Sequence, residues 1–315
     1  MRKLFLSLAA LALSFAAFAQ KITFTPQWTP QAQFAGYYMA QEKGFYSEEG
    51  LDVTIKHIPA NFTGTATDFL FTGESQIVGQ QLLQAMVARS DGKKLVNVFQ
   101  LTQKTGLMLL SKEPVDKFVQ LDGKKVGRWK AGFSEICEII QNSAGIDVEW
   151  VPFISGINLF VFGAVDATLC YSYSEYIKVL MSVGKFPEEN IVRFSDMIDF
   201  EIPEDGLYVT EKYYKKNKAT VDKFVRASKK GWEYVRRNPE ETMSVVMKYV
   251  KEGNIVTNET VQKMMLEEYL RLQVNPATGE PDYAAVTREQ FDQIQQQLLM
   301  SALIVNPITY EEIIK

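Results

Sequence analysis

KITFTPQWTPQAQFAGYYMAQEKGFYSEEGLDVTI, residues 21 to 55, decides the fold. Lys21 to Phe24 reads as a short strand. Thr29-Pro30 then opens a helix, with Thr as cap and Pro at the first helical position, where its missing N–H costs nothing. Lys43-Gly44 closes it, with a basic last turn and a glycine for the left-handed cap. Leu51 to Ile58 alternates as a second strand. Two strands joined through a helix pair in parallel. Phe34, Tyr37 and Tyr38 share one face of that helix by their spacing. Such stripes belong mostly to cores, so the question is which rings of this stretch pack and which face a ligand.

The same alternation continues outward. Strands are expected at 75–78, 95–100 and 107–110, with helices at 65–71 and 82–89. A second series has strands at 122–127, 147–152, 167–171 and 191–194, with helices at 133–144, 156–162 and 174–183. After a strand at 207–210 the pattern is purely helical, over 219–237, 239–251, 259–271 and 288–303. The fold class is therefore α/β, with two parallel-rich sheets covered by helices on both faces. The chain crosses twice, near 107–111 and 206–210, giving lobe I from residues 20–108 and 208–315 and lobe II from 109–207. Ligands of such sheets sit beyond the carboxyl ends of the strands, and two lobes can turn those ends toward one cleft.

Residues 1–19 read as a signal peptide: Arg2-Lys3, an apolar run from Leu4 to Phe18, and a small-x-small site at Ala17-Phe18-Ala19. The remaining chain is expected to be exported, to a bacterial periplasm, and to act as a monomer. At about 300 residues it is long enough for two cores. The formal charge of −4 and the lack of a basic stripe argue against nucleic acid as a partner. Cys137 and Cys170 are the two cysteines; buried free thiols and a disulfide both suit an exported protein. Catalytic signatures such as H-E-x-x-H, G-x-S-x-G and a phosphate loop are absent. A single histidine, His57, at the end of a strand pattern, excludes a multi-histidine metal site, and two separated cysteines make no zinc cluster. No metal and no cofactor are expected.

QWTPQAQFAGYYMAQEKGFYSEEGLDV (27–53) resembles the start of periplasmic solute-binding proteins of ABC transporters in the thiamine-pyrimidine-precursor group. That group shares its fold, a type II-like periplasmic binding protein, with the yeast enzyme that makes the thiamine pyrimidine. FTGESQIV (71–78), LDGKKVGRWKAGFSE (121–135), FGAVDATLCYSYSEYIKVL (162–180) and the stretch from Asp205 match in order, so the resemblance covers nearly the whole chain. It implies two lobes closing over a small flat heterocycle and delivery to a membrane permease. It also leaves two alternatives: a thiamine-pyrimidine synthase, and a sensing module for a membrane receptor. The synthase holds pyridoxal phosphate on a lysine and consumes a histidine. An ungapped match puts these at Gln80 and Gln84, puts another family histidine at Phe34, and puts the cysteine motif at DFEIPEDG (199–206), which has no Cys. A glutamine forms no Schiff base, so the resemblance favours binding over synthesis.

Candidate contacts follow from both readings. Trp28, just past the first strand, can stack on a flat ring or act as a hydrophobic staple on the helix. Gln33, Phe34 and Tyr37 lie on the first helix, Tyr37 as a cleft candidate, while Tyr38, Met39, Phe45 and Tyr46 are expected to pack. Gln80 and Gln81 follow a strand end and offer donor and acceptor to a pyrimidine, or serve as loop amides. Gly132, Phe133 and Ser134 begin a helix whose N–H groups suit an anion or carbonyl, or simply cap it. Tyr171, Tyr173 and Glu175 follow another strand end. Glu175 can accept two hydrogen bonds from an aminopyrimidine edge, or favour the helix start. Asp205 at the second crossing reaches a ligand amine or forms the turn.

Overall fold

The structure is a computed structural model that describes residues 19–59, 61–130, 133–154 and 156–315. The expected signal peptide, apart from Ala19, and Gly132 lie outside the described residues. The strands are β1 (Gln20–Thr25), β2 (Leu51–Ile55), β3 (Ile77–Gln81), β4 (Leu95–Gln100), β5 (Leu107–Ser111), β6 (Lys125–Trp129), β7 (Glu149–Phe153), β8 (Ala167–Tyr171), β9 (Ile191–Arg193) and β10 (Asp205–Thr210). They form two five-stranded sheets, ordered β2-β1-β3-β10-β4 and β7-β6-β8-β5-β9. Alternation decides burial at the edge: in β2, Leu51 and Val53 point inward and Asp52 and Thr54 outward. β3, β5 and β8 are buried throughout, as strands covered on both faces must be.

The sheets are mixed rather than parallel. β10 runs antiparallel to β3 and β4, and β5 runs antiparallel to β8 and β9. The cause is the crossing itself. A strand that precedes a helix ends at the cleft, as β3 does at Gln81 and β8 at Tyr171. A strand entered from the other sheet starts there, so Asp205 pairs with Gln81 and Leu107 with Tyr171.

The two connections, 101–106 and 199–204, are tied to each other. Leu101 N–H donates to Asp205 O at 2.8 Å, Thr102 Oγ1 accepts from the Glu204 and Asp205 N–H groups at 3.3 Å, and Thr105 Oγ1 donates to Glu204 Oε1 at 2.5 Å.

Two local expectations move. The helix expected from Thr29-Pro30 starts later, with a 3-10 turn Ala32–Phe34 followed by the helix Ala35–Glu42. Gln262, far along the chain, takes the Ala32 N–H at 2.7 Å and fixes that start. Gln80 and Gln81 are the last residues of β3 rather than loop residues, because β10 extends the pairing to them.

The C-terminal helices Glu211–Arg237, Pro239–Glu252 and Glu259–Leu272 return to the first sheet. Glu211–Arg237 crosses Ala35–Glu42 at two facing glycines. A Cβ on Gly231 would sit 2.0 Å from the Gly36 carbonyl oxygen, and one on Gly36 would sit 2.2 Å from the Trp232 ring. Tyr38 and Tyr46 are fully buried, as expected, with Tyr38 stacked on Tyr249 at 4.0 Å and Tyr46 on Phe224 at 4.8 Å. Cys137 and Cys170 are buried free thiols, and burial pushes the Cys137 thiol up to about 12.

Candidate functional site

A cleft between the cleft-edge strand ends of the two sheets encloses about 670 Å³ of empty space, part of it open to solvent. One wall comes from the loop after β1, which carries Trp28, and from the end of β3. The other comes from β6 and β8 and the residues that follow them. Trp28 and Phe133 face each other across it at 6.3 Å, tilted by 60°. Phe133 takes a left-handed backbone (φ 71°) at the N-cap of the helix Ser134–Ala144. This aims its ring at Trp129, 4.6 Å away. Tyr171 continues the wall, 5.2 Å from Trp129 and stacked on Tyr173 at 5.0 Å.

The polar lining consists mostly of amides. Six glutamines reach it: Gln27, Gln31, Gln33, Gln80, Gln81 and Gln84. Glu175 is the one carboxylate among the described lining residues, and no lysine or arginine lines the cleft among them. Glu175 is 5 % exposed and accepts from Trp129 Nε1 at 3.3 Å and from the Tyr171 N–H at 3.2 Å. Two amides span the cleft: Gln33 Nε2 donates to Tyr173 OH at 3.3 Å and Gln81 Nε2 to Tyr171 OH at 2.5 Å. Asp205 accepts from Gln33 Nε2 at 2.7 Å and from the Tyr269 hydroxyl. Burial holds the carboxyls of Asp205 and its neighbour Glu204 above the usual carboxylate range, and the adjacent Asp205 charge raises Glu204 further.

Of the residues singled out from the sequence, Trp28, Gln33, Gln80, Gln81, Phe133, Tyr171, Tyr173 and Glu175 meet in this cleft. Phe34, Tyr37, Ser134 and Asp205 are not on its wall. The later helix start turns Gln33 to the cleft and Phe34 inward against His57, at 5.3 Å. Tyr37 packs between Phe24 and Trp232, at 4.7 and 5.8 Å. Ser134 is exposed on the first helical turn, and Asp205 lies one layer behind Gln33. The sequence reading passed over Gln27, Gln31, Trp129 and Phe62 as contacts. The glutamine density of PQWTPQAQF and the tryptophan of RWKAGF were the available signals.

His57 supports the site from behind. Its Nδ1–H donates to the Trp28 carbonyl at 2.6 Å, which leaves Nε2 to accept the Tyr38 hydroxyl at 2.8 Å. Desolvation pulls its pKa down to about 4.

Comparison with known proteins adds a family and a fold. The family model described as NMT1/THI5 like matches residues 31–242. The riboflavin-binding protein RibY of Chloroflexus aurantiacus is 22% identical over 305 residues, covering 93% of this chain and 84% of its own. A formylaminopyrimidine-binding protein of Halalkalibacterium halodurans is 28% identical, covering 79% of this chain and 76% of its own. The 4-amino-5-hydroxymethyl-2-methylpyrimidine phosphate synthase THI13 of Saccharomyces cerevisiae is 25% identical, covering 70% and 68%. Among solved structures, the periplasmic aliphatic sulphonate binding protein SsuA of Escherichia coli superposes with a TM-score of 0.66 at 15% identity, covering 92% of this chain and 95% of that one. The likeness shows the periplasmic-binding-protein fold.

Proposed function

The chain belongs to the NMT1/THI5-like family, and on that premise we propose that it is an extracytoplasmic solute-binding protein that captures a small flat heterocycle and hands it to an ABC permease. The observation that carries this reading is the cleft itself. Aromatic rings from both sheets face one gap, amides and one carboxylate line it, and no cation does among the described residues. Trp28 and Phe133 touch as a tilted pair at 6.3 Å, so a flat ring enters by turning them aside and then stacks against them, which ties the two lobes and shifts the open–closed balance. The tied connections 101–106 and 199–204 act as the hinge of that motion. A lining with a carboxylate and no lysine or arginine disfavours a sulfonate or phosphate and suits an aminopyrimidine. The relatives that bind formylaminopyrimidine and riboflavin support a nitrogen heterocycle as the class. The described residues contain no helix long and apolar enough to cross a membrane.

The synthase reading needs an amine for pyridoxal phosphate, and the cleft has Gln80 where the resemblance puts that lysine and Gln84 where it puts the consumed histidine. Incubation with pyridoxal phosphate is expected to give no Schiff-base absorbance; a lysine-bound chromophore would restore that reading.

Thermal-shift and calorimetric titration against aminopyrimidine precursors, riboflavin and an alkanesulfonate test the proposal directly. Stabilisation by an aminopyrimidine and none by the sulfonate is the expected outcome. Silence from every nitrogen heterocycle would overturn it. Replacing Trp28 with alanine removes one stacking face, which costs about 1–3 kcal/mol for a stacked base. Affinity is expected to fall roughly thirtyfold, with the thermal midpoint of the unliganded protein little changed, because Trp28 is only half-buried.

A further inference from the structure

Four of the cleft glutamines form two chains, and each chain has a direction. In the first, Gln31 Nε2 donates to Gln33 Oε1 at 2.6 Å, and Gln33 Nε2 donates to Asp205 Oδ2 at 2.7 Å. In the second, Gln80 Nε2 donates to Gln84 Oε1 at 2.6 Å. An amide has one donor end and one acceptor end, and the assignment of the two is fixed by its partners. A carboxylate oxygen accepts, so it takes the N–H end of the first glutamine. That glutamine's carbonyl then takes the N–H end of the second. The second is left with its carbonyl. Gln31 and Gln80 both line the cleft, and no described group donates to Oε1 of either. Gln80 is 1 % exposed, so its carbonyl has little access to bulk water. A shielded acceptor without a donor is costly, and a ligand in the cleft can supply that donor. Glu175 adds a third acceptor, each of its oxygens having one donor among the described residues.

We propose that Asp205 is a positioning residue that orients the Gln31–Gln33 chain, so that the cleft presents carbonyl oxygens and selects a ligand whose edge carries N–H donors. This rests on the binding reading above and narrows it to donor-edged rings, with an exocyclic amine or a protonated ring nitrogen. A ring of the same shape that offers a carbonyl in place of the amine meets acceptor against acceptor. Such a mismatch is the strong form of selectivity, because buried polar groups on both sides go unpaired.

The test uses a pair of probes, 4-amino-2-methylpyrimidine and 2,3-dimethylpyrimidin-4-one, a pyrimidinone with no N–H of its own, titrated calorimetrically into the full mature chain. The wild type is expected to prefer the amine by about tenfold or more, one to two hydrogen bonds' worth. In Asp205→Asn the new amide can donate to Gln33, which turns over and lets Gln31 present its N–H end. The amine preference is then expected to shrink by about tenfold, through gain for the pyrimidinone as well as loss for the amine. A purely structural role would weaken both probes together and leave their ratio fixed. Gln31→Met, on the cleft surface, removes the terminal carbonyl without touching the buried anchor. It is expected to weaken the amine about fivefold and spare the pyrimidinone, which keeps the proposal testable if Asp205→Asn unfolds, as a thermal melt would reveal. Wild-type ratios in both variants, or a wild type that prefers the pyrimidinone, would overturn this proposal and leave the binding reading standing. Failure of both probes to bind the wild type would overturn both.

Discussion

Gly231→Ala is expected to destabilise the protein by about 2 kcal/mol. The added Cβ would stand 2.0 Å from the Gly36 carbonyl oxygen and 2.9 Å from the Ala40 Cβ. Both neighbours belong to the helix Ala35–Glu42 and neither is the flexible end of a side chain. The two helices must separate, which opens the packing of Trp232 and Tyr37, paired at 5.8 Å. Overpacking a dense core typically costs 1–3 kcal/mol, and a backbone-to-backbone contact belongs at the top of that range. The gain in helix propensity from Gly to Ala, about 1 kcal/mol, offsets only part of it. Urea unfolding gives the number directly. A loss under 1 kcal/mol would mean that the helices slide apart without consequence. The same helix carries Gln33 just before its start, so ligand affinity is expected to fall along with stability.

The second large effect is a pH dependence set by His57. Its folded pKa of about 4 lies below the ordinary value of 6.5. The native state therefore binds fewer protons than the unfolded chain between these two values. The contribution is fully present above about pH 6.5 and is lost as pH falls toward 4, for a total of about 3 kcal/mol. Glu204 and Asp205 work in the other direction: their raised folded pKa values favour the native state as pH falls. The His57 part is isolated by comparison with His57→Asn, which can still donate toward the Trp28 carbonyl but does not titrate. The stability advantage of the wild type over this variant is expected to shrink by about 3 kcal/mol from pH 7 to pH 4. A constant difference across that range would show that the imidazole is not held neutral by burial. Protonation at Nε2 also removes the acceptor for the Tyr38 hydroxyl, now 2.8 Å away, so the seat of Trp28 loosens in the same window.

Much of the cleft was legible because its parts are local. Trp28 follows a strand, and Tyr171, Tyr173 and Glu175 follow another; strand ends are where ligands of such sheets bind. The missed residues were those whose role depends on a distant partner. Gln31 matters because Gln33 and Asp205 hold it, and Asp205 is 172 residues from Gln33 in the chain. Tyr37 was misplaced because the spacing of the first helix identifies a face without saying what covers it. Gly36 meeting Trp232 made that face core.

By itself, the sequence determined the two alternating series, the crossings, the order of strands and helices, and the lack of an amine or imidazole at Gln80 and Gln84. These depend on periodicity, turn chemistry and residue identity, which act over a few neighbours. The tertiary structure alone decided the antiparallel entry of β5 and β10, the start of the first helix at Ala32, and the facing of Trp28 and Phe133. It alone also gave the glutamine chains their direction. Each of those depends on a hydrogen bond or a contact between residues far apart in the chain, and an amide's orientation is set by what its partner can accept.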